Sequence, residues 1–362
     1  MRARRDSSSA AWVGVAVLAA ATVVSATVAS VASAVPERRA AAPLTKVTFL
    51  EDFFESDAHA GIWVAKDKGF WEQQGLDVAV SAGSGSGITV QQVAAGNYTF
   101  GYANGFVMAQ QVSRGADVIA VASPAPKFGG GVVYWSDRGI RTPKDLEGKT
   151  YLGVASGFVD QLLPLFAKNA GFDLSKVTVR NVDAAAGSAL FAARQGDAVS
   201  GDRVQTLLYS FNGETSKVFA YADYDINPIG FAVIANARQV RASPGITQKF
   251  VTGLLKGWNW ACSNPRQAVA IMRTHYNPTI PVETSLERWK TFCGYARVKD
   301  NMTQAFGWMP LSSWRTTTQL IRENQQFGGP RNVPPAATLY TNAFVEKANV
   351  AKPKPKPKAK KK

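Results

Sequence analysis

An acidic side chain, an aromatic ring and an imidazole lie close together near the start of the chain, and together they have the chemistry of a small-molecule binding site. Asp52 and Phe53 directly follow residues 46–50 (KVTFL), which are predicted to form a strand. Open α/β sheets bind ligands just beyond their strand ends, and Phe53 could stack there on a planar ligand. Core burial is expected for one of Phe53 and Phe54, because successive side chains of an extended segment face opposite ways.

His59 stands at the predicted start of a helix in which Ala58, Ile62 and Ala65 recur at helical spacing. The positive end of the helix dipole favours a neutral imidazole, which can both donate and accept a hydrogen bond. His59 is therefore a candidate ligand contact, and an exposed histidine at a helix start is the alternative.

A glycine-serine loop at residues 83–87 (GSGSG) precedes a predicted helix at residues 88–95. The backbone N–H groups and serine hydroxyls of such a loop could hold a carboxylate, sulfonate or phosphate. The loop is not a P-loop, because it lacks the Gly-Lys-Ser/Thr ending. Its candidate binding residues are Ser84, Gly85 and Ser86, and a plain flexible loop is the alternative.

The same loop also matches the Gly-x-Ser-x-Gly elbow of serine hydrolases. An exported hydrolase is therefore the alternative to a binding protein. Two features count against it. The strand before the loop is short and polar, and His59 precedes the serines, whereas in these hydrolases the histidine comes last. We therefore expect a binding protein without enzymatic activity.

Further candidates share one kind of position, just after a predicted strand or where the chain returns to its first half, and Asp183, Asp202 and Tyr224 are the weaker ones among them. Such positions reach the ligand cleft of open α/β sheets. The members are Ser156, Gly157 and Phe158, Asn104, Asp183, Asp202 and Tyr224.

The only two cysteines, Cys262 and Cys293, each lie on an aromatic segment that is predicted to be helical. Two cysteines in an oxidising compartment can form a single bridge, and we expect a disulfide that joins two helices. Two buried free thiols are the alternative. The chain has no CxxC spacing and no histidine near either cysteine in sequence, so we expect no metal site and no cofactor.

Strand-like and helix-like segments alternate along the chain, and this pattern predicts an α/β fold with mostly parallel sheets. Two lobes account for the pattern better than one, because the alternation restarts in the middle of the chain. We predict that lobe 1 comprises residues 46–133 and 224–345, and that lobe 2 comprises residues 134–223. Two crossings, near residues 130–136 and 221–227, would form a hinge beside a ligand cleft.

The chain has 362 residues and a formal net charge of +15, and much of this charge lies at its two ends. Residues 1–34 contribute +2 and residues 351–362 contribute +7. Proteins that recognise nucleic acids concentrate Lys and Arg on a folded face, so we expect no nucleic-acid partner. Residues 346–362 are predicted to be a disordered Pro-Lys tail, either a solvated appendage or a contact with anionic lipids or envelope polymers.

The first 34 residues have the layout of a secretory signal. Arg2, Arg4 and Arg5 precede an apolar stretch that ends in Ala-Ser-Ala at residues 32–34, and residues 35–45 form a linker. A retained membrane anchor is the alternative, because the apolar stretch approaches the length that spans a bilayer. No cysteine lies near the cleavage site, so we expect a periplasmic or extracellular protein without a lipid anchor.

Four motifs in a fixed order resemble the exported solute-binding proteins of ABC importers for sulfonates, nitrate and thiamine-pyrimidine precursors. They are HAGIWVAKDKGFW with GLDV at residues 59–78, AAGNYTFG at 94–101, PKDLEGK at 143–149 and ARQGDA at 193–198. The resemblance covers roughly residues 47–327. It implies a type II periplasmic-binding-protein fold with two lobes, which closes on a small solute and delivers it to a permease and its ATPase subunit. We expect a monomer.

In the pyrimidine-precursor branch of this family, an Asp-Trp pair follows the first strand and a Pro-Asn pair shortly precedes a histidine. Here Asp52-Phe53 and Glu55-Ser56 stand at these positions and His59 is retained, so the resemblance implies that Asp52, Phe53 and His59 contact a flat heterocycle. A pyrimidine-like solute is favoured over a sulfonate or nitrate ion, because Asp52 and Glu55 would repel an anion.

Overall fold

Two five-stranded sheets form the framework of the protein in a computed structural model, which describes residues 43–53, 56–154, 157–209, 215–276, 278–324 and 332–348. Runs of alternating or continuous β-branched and aromatic residues form these strands, as in residues 130–135 (GGVVYW). The strands are β1 (Thr45–Leu50), β2 (Leu76–Ser81), β3 (Phe100–Asn104), β4 (Val118–Ala125), β5 (Gly130–Trp135), β6 (Thr150–Gly153), β7 (Thr178–Asn181), β8 (Ala198–Asp202), β9 (Ser216–Ala220) and β10 (Phe231–Asn236).

The two sheets have the same plan, and each belongs to one lobe. The order in the first sheet is β2-β1-β3-β10-β4, where β1 pairs in parallel with β2 and β3, and β10 is antiparallel to both of its neighbours. The order in the second is β7-β6-β8-β5-β9, where β5 is the strand antiparallel to both neighbours. The antiparallel strand of each sheet is therefore the one that the chain forms just after it crosses from the other lobe. The predicted α/β class and two-lobe organisation are confirmed.

The chain crosses between the lobes at residues 126–129 and again at residues 221–230. The predicted boundary between residues 133 and 134 is wrong, because residues 130–135 already pair with β8 and β9 as strand β5. The hinge predicted at residues 130–136 falls on the same strand, whereas the one predicted at 221–227 lies within the second crossing.

The helices follow the strands in alternation and then fill the C-terminal part of the chain. The last of them includes residues 346–348, so the prediction that these residues belong to the disordered tail is wrong. The helices are α1 (Ala60–Asp67), α2 (Ser86–Ala94), α3 (Gly105–Val112), α4 (Phe158–Ala170), α5 (Ala184–Ala192), α6 (Arg203–Tyr209), α7 (Ala237–Ala242), α8 (Pro244–Ser263), α9 (Pro265–His275), α10 (Val282–Cys293), α11 (Leu311–Glu323) and α12 (Ala343–Ala348).

Lobe 1 is held together by a close crossing of α1 and α8. A Cβ atom at Gly61 would lie 2.3 Å from the ring of Trp258, and one at Gly257 would lie 2.5 Å from the Cα atom of Ala65. Both positions therefore need glycine for the two helices to approach. Trp258 itself is fully buried in the lobe 1 core.

A disulfide joins α8 to α10 within the same lobe. The sulfur atoms of Cys262 and Cys293 are 2.08 Å apart, and the bridge links positions 31 residues apart in sequence. Helix α10, which lies against the cleft described below, is thus tied covalently to the longest helix of the core.

Lobe 2 has a smaller core of its own around β5 and β8. Trp135 stacks on Phe191 with a centroid separation of 4.6 Å, and Tyr209 packs edge-on against Phe191. Lobe 2 also contacts the other lobe through helix α6. Helix α6 packs against α10, and Val204 at its start belongs to the core of lobe 1.

Within the residues that the structure describes, every helix is too short or too polar to cross a membrane. The predicted signal at residues 1–34 lies outside these residues, as do residues 349–362 of the predicted tail.

Candidate ligand-binding cleft

A cleft of about 170 Å³ lies between the two lobes and is lined by both of them. Most of the site residues that were proposed from the sequence line this cleft, counting those that the structure describes. They are Asp52, Phe53, His59, Gly85 and Ser86 from lobe 1, and Gly157, Phe158 and Asp202 from lobe 2.

The other proposed residues lie elsewhere. Asn104 has no exposed surface, and its side-chain oxygen caps α3 by accepting the backbone N–H of Phe106 at 3.0 Å. Asp183 caps α5 in the same way and is exposed. Ser84 is exposed and Tyr224 lies in a 3₁₀ turn, both away from the cleft. Ser156 lies outside the described residues.

Part of the glycine-serine loop supports the segment that carries Asp52. Its Gly83 and Gly85 N–H groups donate to the backbone oxygens of Phe53 and Asp52, at 2.9 and 2.7 Å. A Cβ atom at Gly83 would lie 2.0 Å from the backbone oxygen of Glu51, so only glycine fits. The Gly83 and Gly85 N–H groups are therefore already used by the loop that carries Asp52, and anion binding by the rest of the loop stays a prediction.

His59 is buried between two carboxyl groups, so the alternative of an exposed histidine does not hold. Its Nε2 atom lies 3.0 Å from Oδ1 of Asp52, and its Nδ1 atom lies 3.5 Å from Oε2 of Glu51. The helix dipole at this position is visible in the sequence, whereas the approach of Glu51, which is fully buried just after β1, depends on the fold. The Nε2 atom is engaged by Asp52, so this nitrogen is not available to activate Ser86 as a nucleophile.

A buried ion pair forms the next part of the lobe 1 wall. Nη1 of Arg288 donates to Oδ2 of Asp57 at 2.7 Å, and the side chains are 7% and 0% exposed. Arg288 lines the cleft, although it comes from α10, far along the chain from β1. The sequence offered no local signal for this pair, because it depends on the packing of α10 beside the turn that precedes α1.

Aromatic rings form the apolar side of the cleft. Tyr102 of β3 stacks on Phe231 of β10 with centroids 5.2 Å apart, and Phe231 meets Phe158 of lobe 2 edge-on at 5.5 Å. Burial, followed by the charges of Asp52 and Glu51, raises the pKa of Tyr102 well above its usual value. Its hydroxyl therefore stays protonated at neutral pH and is a hydrogen-bond donor.

The lobe 2 wall consists mainly of small residues at the end of β8 and the first turns of α4 and α5. Asp202 is the acidic residue of this wall, and its Oδ1 accepts the backbone N–H of Gln205 at 2.8 Å. Burial raises the pKa of Asp202, and the backbone donors and the charge of Arg288 offset this only in part. Within the described residues no cluster of His, Cys, Asp and Glu is arranged to hold a metal ion.

A known protein family and a binding protein of known ligand are similar in sequence to this chain. The model of the family described as "NMT1/THI5 like" matches residues 56–268. The formylaminopyrimidine-binding protein of Halalkalibacterium halodurans is 23% identical over 279 residues, which is 75% of this chain and 83% of that protein.

Solved structures share the fold at low sequence identity. The alkanesulfonate-binding protein SsuA of Xanthomonas axonopodis superposes with a TM-score of 0.64 at 17% identity, covering 84% of this chain and all of that one. The periplasmic nitrate-binding protein NrtA of Synechocystis superposes with a TM-score of 0.60 at 14% identity, covering 84% and 88%. The predicted periplasmic-binding-protein fold is thereby confirmed.

Proposed function

The chain belongs to the NMT1/THI5-like family, and we propose that it is the exported solute receptor of an ABC importer. In this role the lobes close on a small solute, and the closed form delivers it to a membrane permease and its ATPase subunit. The observation that carries the proposal is the cleft, in which residues of both lobes enclose one space of about 170 Å³. A solute held there contacts both lobes at once, as a receptor that closes on its ligand requires.

The size and the aromatic wall of the cleft suit a single substituted ring. An apolar cavity of about 150 Å³ is large enough to hold benzene, and the space here is about 170 Å³. Phe231 and Phe158 offer ring faces and edges to a flat ligand. We therefore propose a pyrimidine-like heterocycle, in agreement with the ligand named for the Halalkalibacterium relative.

The charges near the cleft favour a neutral or cationic ring over a sulfonate or nitrate ion. Asp52 and Asp202 line the cleft, and Glu51 lies behind His59. Among the described residues of the wall, Arg288 is the strong cation, and it is already paired with Asp57. An anion would therefore be placed among carboxyl groups, which raises its free energy in the site. The sulfonate and nitrate named for the structural neighbours are second candidates.

Calorimetry and thermal unfolding of the purified full chain test this proposal. The probes are a formylaminopyrimidine, an aminopyrimidine without the formyl group, an alkanesulfonate and nitrate. A ligand at about one hundred times its Kd adds about 2.7 kcal/mol to the free energy of unfolding, so the pyrimidines should raise the Tm clearly. Stabilisation by the sulfonate or nitrate alone would show that the ligand class is wrong, and turnover of any probe would exclude a simple receptor.

Matched variants link binding to the cleft. Phe158→Ala removes a ring from the cleft wall and should weaken pyrimidine binding about tenfold. Ser84→Ala is the control, because Ser84 is exposed outside the cleft. The same chain tests the hydrolase alternative: labelling of Ser84 or Ser86 by a serine-directed phosphonate would support an enzyme.

The proposal includes an extracytoplasmic location and a monomeric receptor without a cofactor. The signal-like layout of residues 1–34 supports export, and the basic tail supports contact with anionic envelope polymers. Cell fractionation tests the location, and gel filtration of the mature chain tests the monomer.

A further inference from the structure

Arg288 is a buried cation at the cleft wall whose hydrogen-bonding capacity is only partly used. A guanidinium has five N–H donors, and Nη1 of Arg288 donates to Asp57. The Nε atom of Arg288 is buried and has no hydrogen-bond partner among the described residues. Oδ1 of Asp57 has no such partner either, but Asp57 does not line the cleft. A buried polar group without a partner raises the free energy of the folded protein, so such groups at a ligand cleft are candidates for a ligand contact.

On the lobe 2 side of the cleft, Asp202 is an acidic residue of the wall. The two residues line the same cleft, and the charge of Arg288 acts on the carboxyl group of Asp202. Arg288 lies on α10, and Asp202 directly precedes α6. These two helices pack against each other and bring the two walls together. Within the described residues Arg288 and Asp202 form no direct ion pair, although both line the cleft.

We propose that the solute fills the cleft and joins the lobes, with Arg288 donating to an acceptor atom of the solute and Asp202 accepting from a neighbouring N–H. This inference rests on the proposed function and narrows the ligand to a ring that carries a donor beside an acceptor. An aminopyrimidine edge and a formamide substituent both have this arrangement. Asp57 is a positioning residue in this scheme, because it holds the guanidinium of Arg288 without touching the solute.

The geometry also explains how binding is coupled to closure. The acceptor of the solute is bound by lobe 1 through Arg288, and its donor is bound by lobe 2 through Asp202. Both bonds form together only when the lobes are closed, so the solute binds the closed form better than the open one. A solute without the donor would leave Asp202 without this partner and would favour closure less.

Calorimetry with formylaminopyrimidine as the probe tests the inference on the full chain. Hydrogen bonds to charged groups contribute enough that Arg288→Gln and Asp202→Asn should each weaken binding about 10- to 100-fold. Because the solute must contact both residues to join the lobes, the double variant should bind little worse than either single one. Lys290→Gln is the matched control on the same helix, since Lys290 is exposed and pairs with Glu287.

Two further measurements separate a ligand contact from a structural role. Asp202→Asn keeps the shape of the side chain and an acceptor for Gln205, so the Tm without ligand should stay close to that of the wild type while affinity falls. This variant keeps the test decisive if Arg288→Gln does not fold. The affinities for formylaminopyrimidine, the unformylated aminopyrimidine and plain pyrimidine show which donor-acceptor pair is bound. If Arg288→Gln binds the three probes with similar affinities while the wild type does not, the inference is supported.

The two proposals fail differently. If the wild type binds none of the three pyrimidines, the proposed ligand class is wrong and this inference is wrong with it. If the wild type binds them and the Arg288 and Asp202 variants bind equally well, or if their effects simply add, only the inference is contradicted.

Discussion

The two lobes bury acidic side chains in different ways. In lobe 1, Asp57 has no exposed surface and is paired with Arg288 at 2.7 Å. Asp52 of the same lobe lies 3.0 Å from the imidazole of His59. Each of these acids has a basic group of its own lobe beside it, so the lobe 1 wall is electrostatically organised before any ligand arrives.

In lobe 2, the enclosed acids Asp160 and Asp202 are met mainly by hydroxyl and backbone donors. Tyr151 donates to Asp160 at 2.9 Å, and Gln205 donates to Asp202 at 2.8 Å. Burial is the largest cause at both sites and raises the pKa of each carboxyl group. The nearby cation that acts on Asp202 comes from lobe 1. The comparison indicates that the lobe 1 acids are paired within their own lobe, whereas the acid of the lobe 2 wall has backbone donors of its own lobe and the charge of Arg288 from the other.

The largest effect on stability is expected from breaking the ion pair of lobe 1. Asp57→Ala leaves the guanidinium of Arg288 buried without its carboxylate. Removing one partner of a buried ion pair costs about 3–5 kcal/mol, because the remaining charge is uncompensated. Urea unfolding, followed by tryptophan fluorescence, measures this loss in the free energy of unfolding.

Two control variants show whether the cost comes from the stranded charge. Asp57→Ala/Arg288→Met replaces both charges and should regain most of the stability, since apolar replacement of a buried pair is often neutral. Glu283→Gln, on the same helix α10, breaks an exposed pair with Arg266 and should cost less than about 1 kcal/mol. If Asp57→Ala lowers the free energy of unfolding no more than Glu283→Gln does, the stability of lobe 1 does not depend on paired charges.

The sequence predicted the fold better than it predicted the cleft. The alternation of strands and helices depends on local patterns, and it correctly indicated an α/β fold in two lobes. Positions after strand ends were equally readable, which is why Asp52 and Asp202 were proposed and do lie in the cleft. The boundary inside β5 was missed because a strand that has just crossed between lobes has the same pattern as one that has not.

The residues that were misjudged depend on contacts between distant segments. Arg288 meets Asp57 from 231 positions away, and nothing in α10 alone distinguishes it from a solvated arginine. Asn104 follows a strand end as predicted, yet its side chain caps α3 and its own N–H donates to Ser86. The sequence therefore placed loops at the cleft, but the competition between capping and ligand contact was decided by tertiary packing.

The second prediction concerns the covalent link that lobe 1 has and that the described part of lobe 2 lacks. Cys262→Ala/Cys293→Ala opens a loop of about 30 residues and should cost about 2–4 kcal/mol, since the bridge restricts the unfolded chain. Binding should weaken too, because α10 carries both Cys293 and Arg288. Dithiothreitol should lower the stability of the wild type to that of the variant and leave the variant unchanged; a wild type insensitive to reduction would contradict this.

The smallest effect is expected in lobe 2, where Asp160→Asn should become increasingly favourable as the pH rises. Burial raises the pKa of Asp160 in the folded protein, so the folded state binds a proton more tightly than the unfolded one. Stability from that proton is present at acid pH and is lost as the pH rises through the folded pKa. Asparagine does not ionise, so the Tm of the variant relative to the wild type should increase between acid and neutral pH.

Asp145→Asn is the opposite control in the same lobe. Backbone N–H groups of Thr142 and Arg141 lower the pKa of Asp145, so loss of this carboxylate should reduce the Tm more at neutral pH than at acid pH. Equal dependence of the Tm on pH in the two variants would show that the buried carboxyl group of Asp160 does not destabilise lobe 2 at neutral pH.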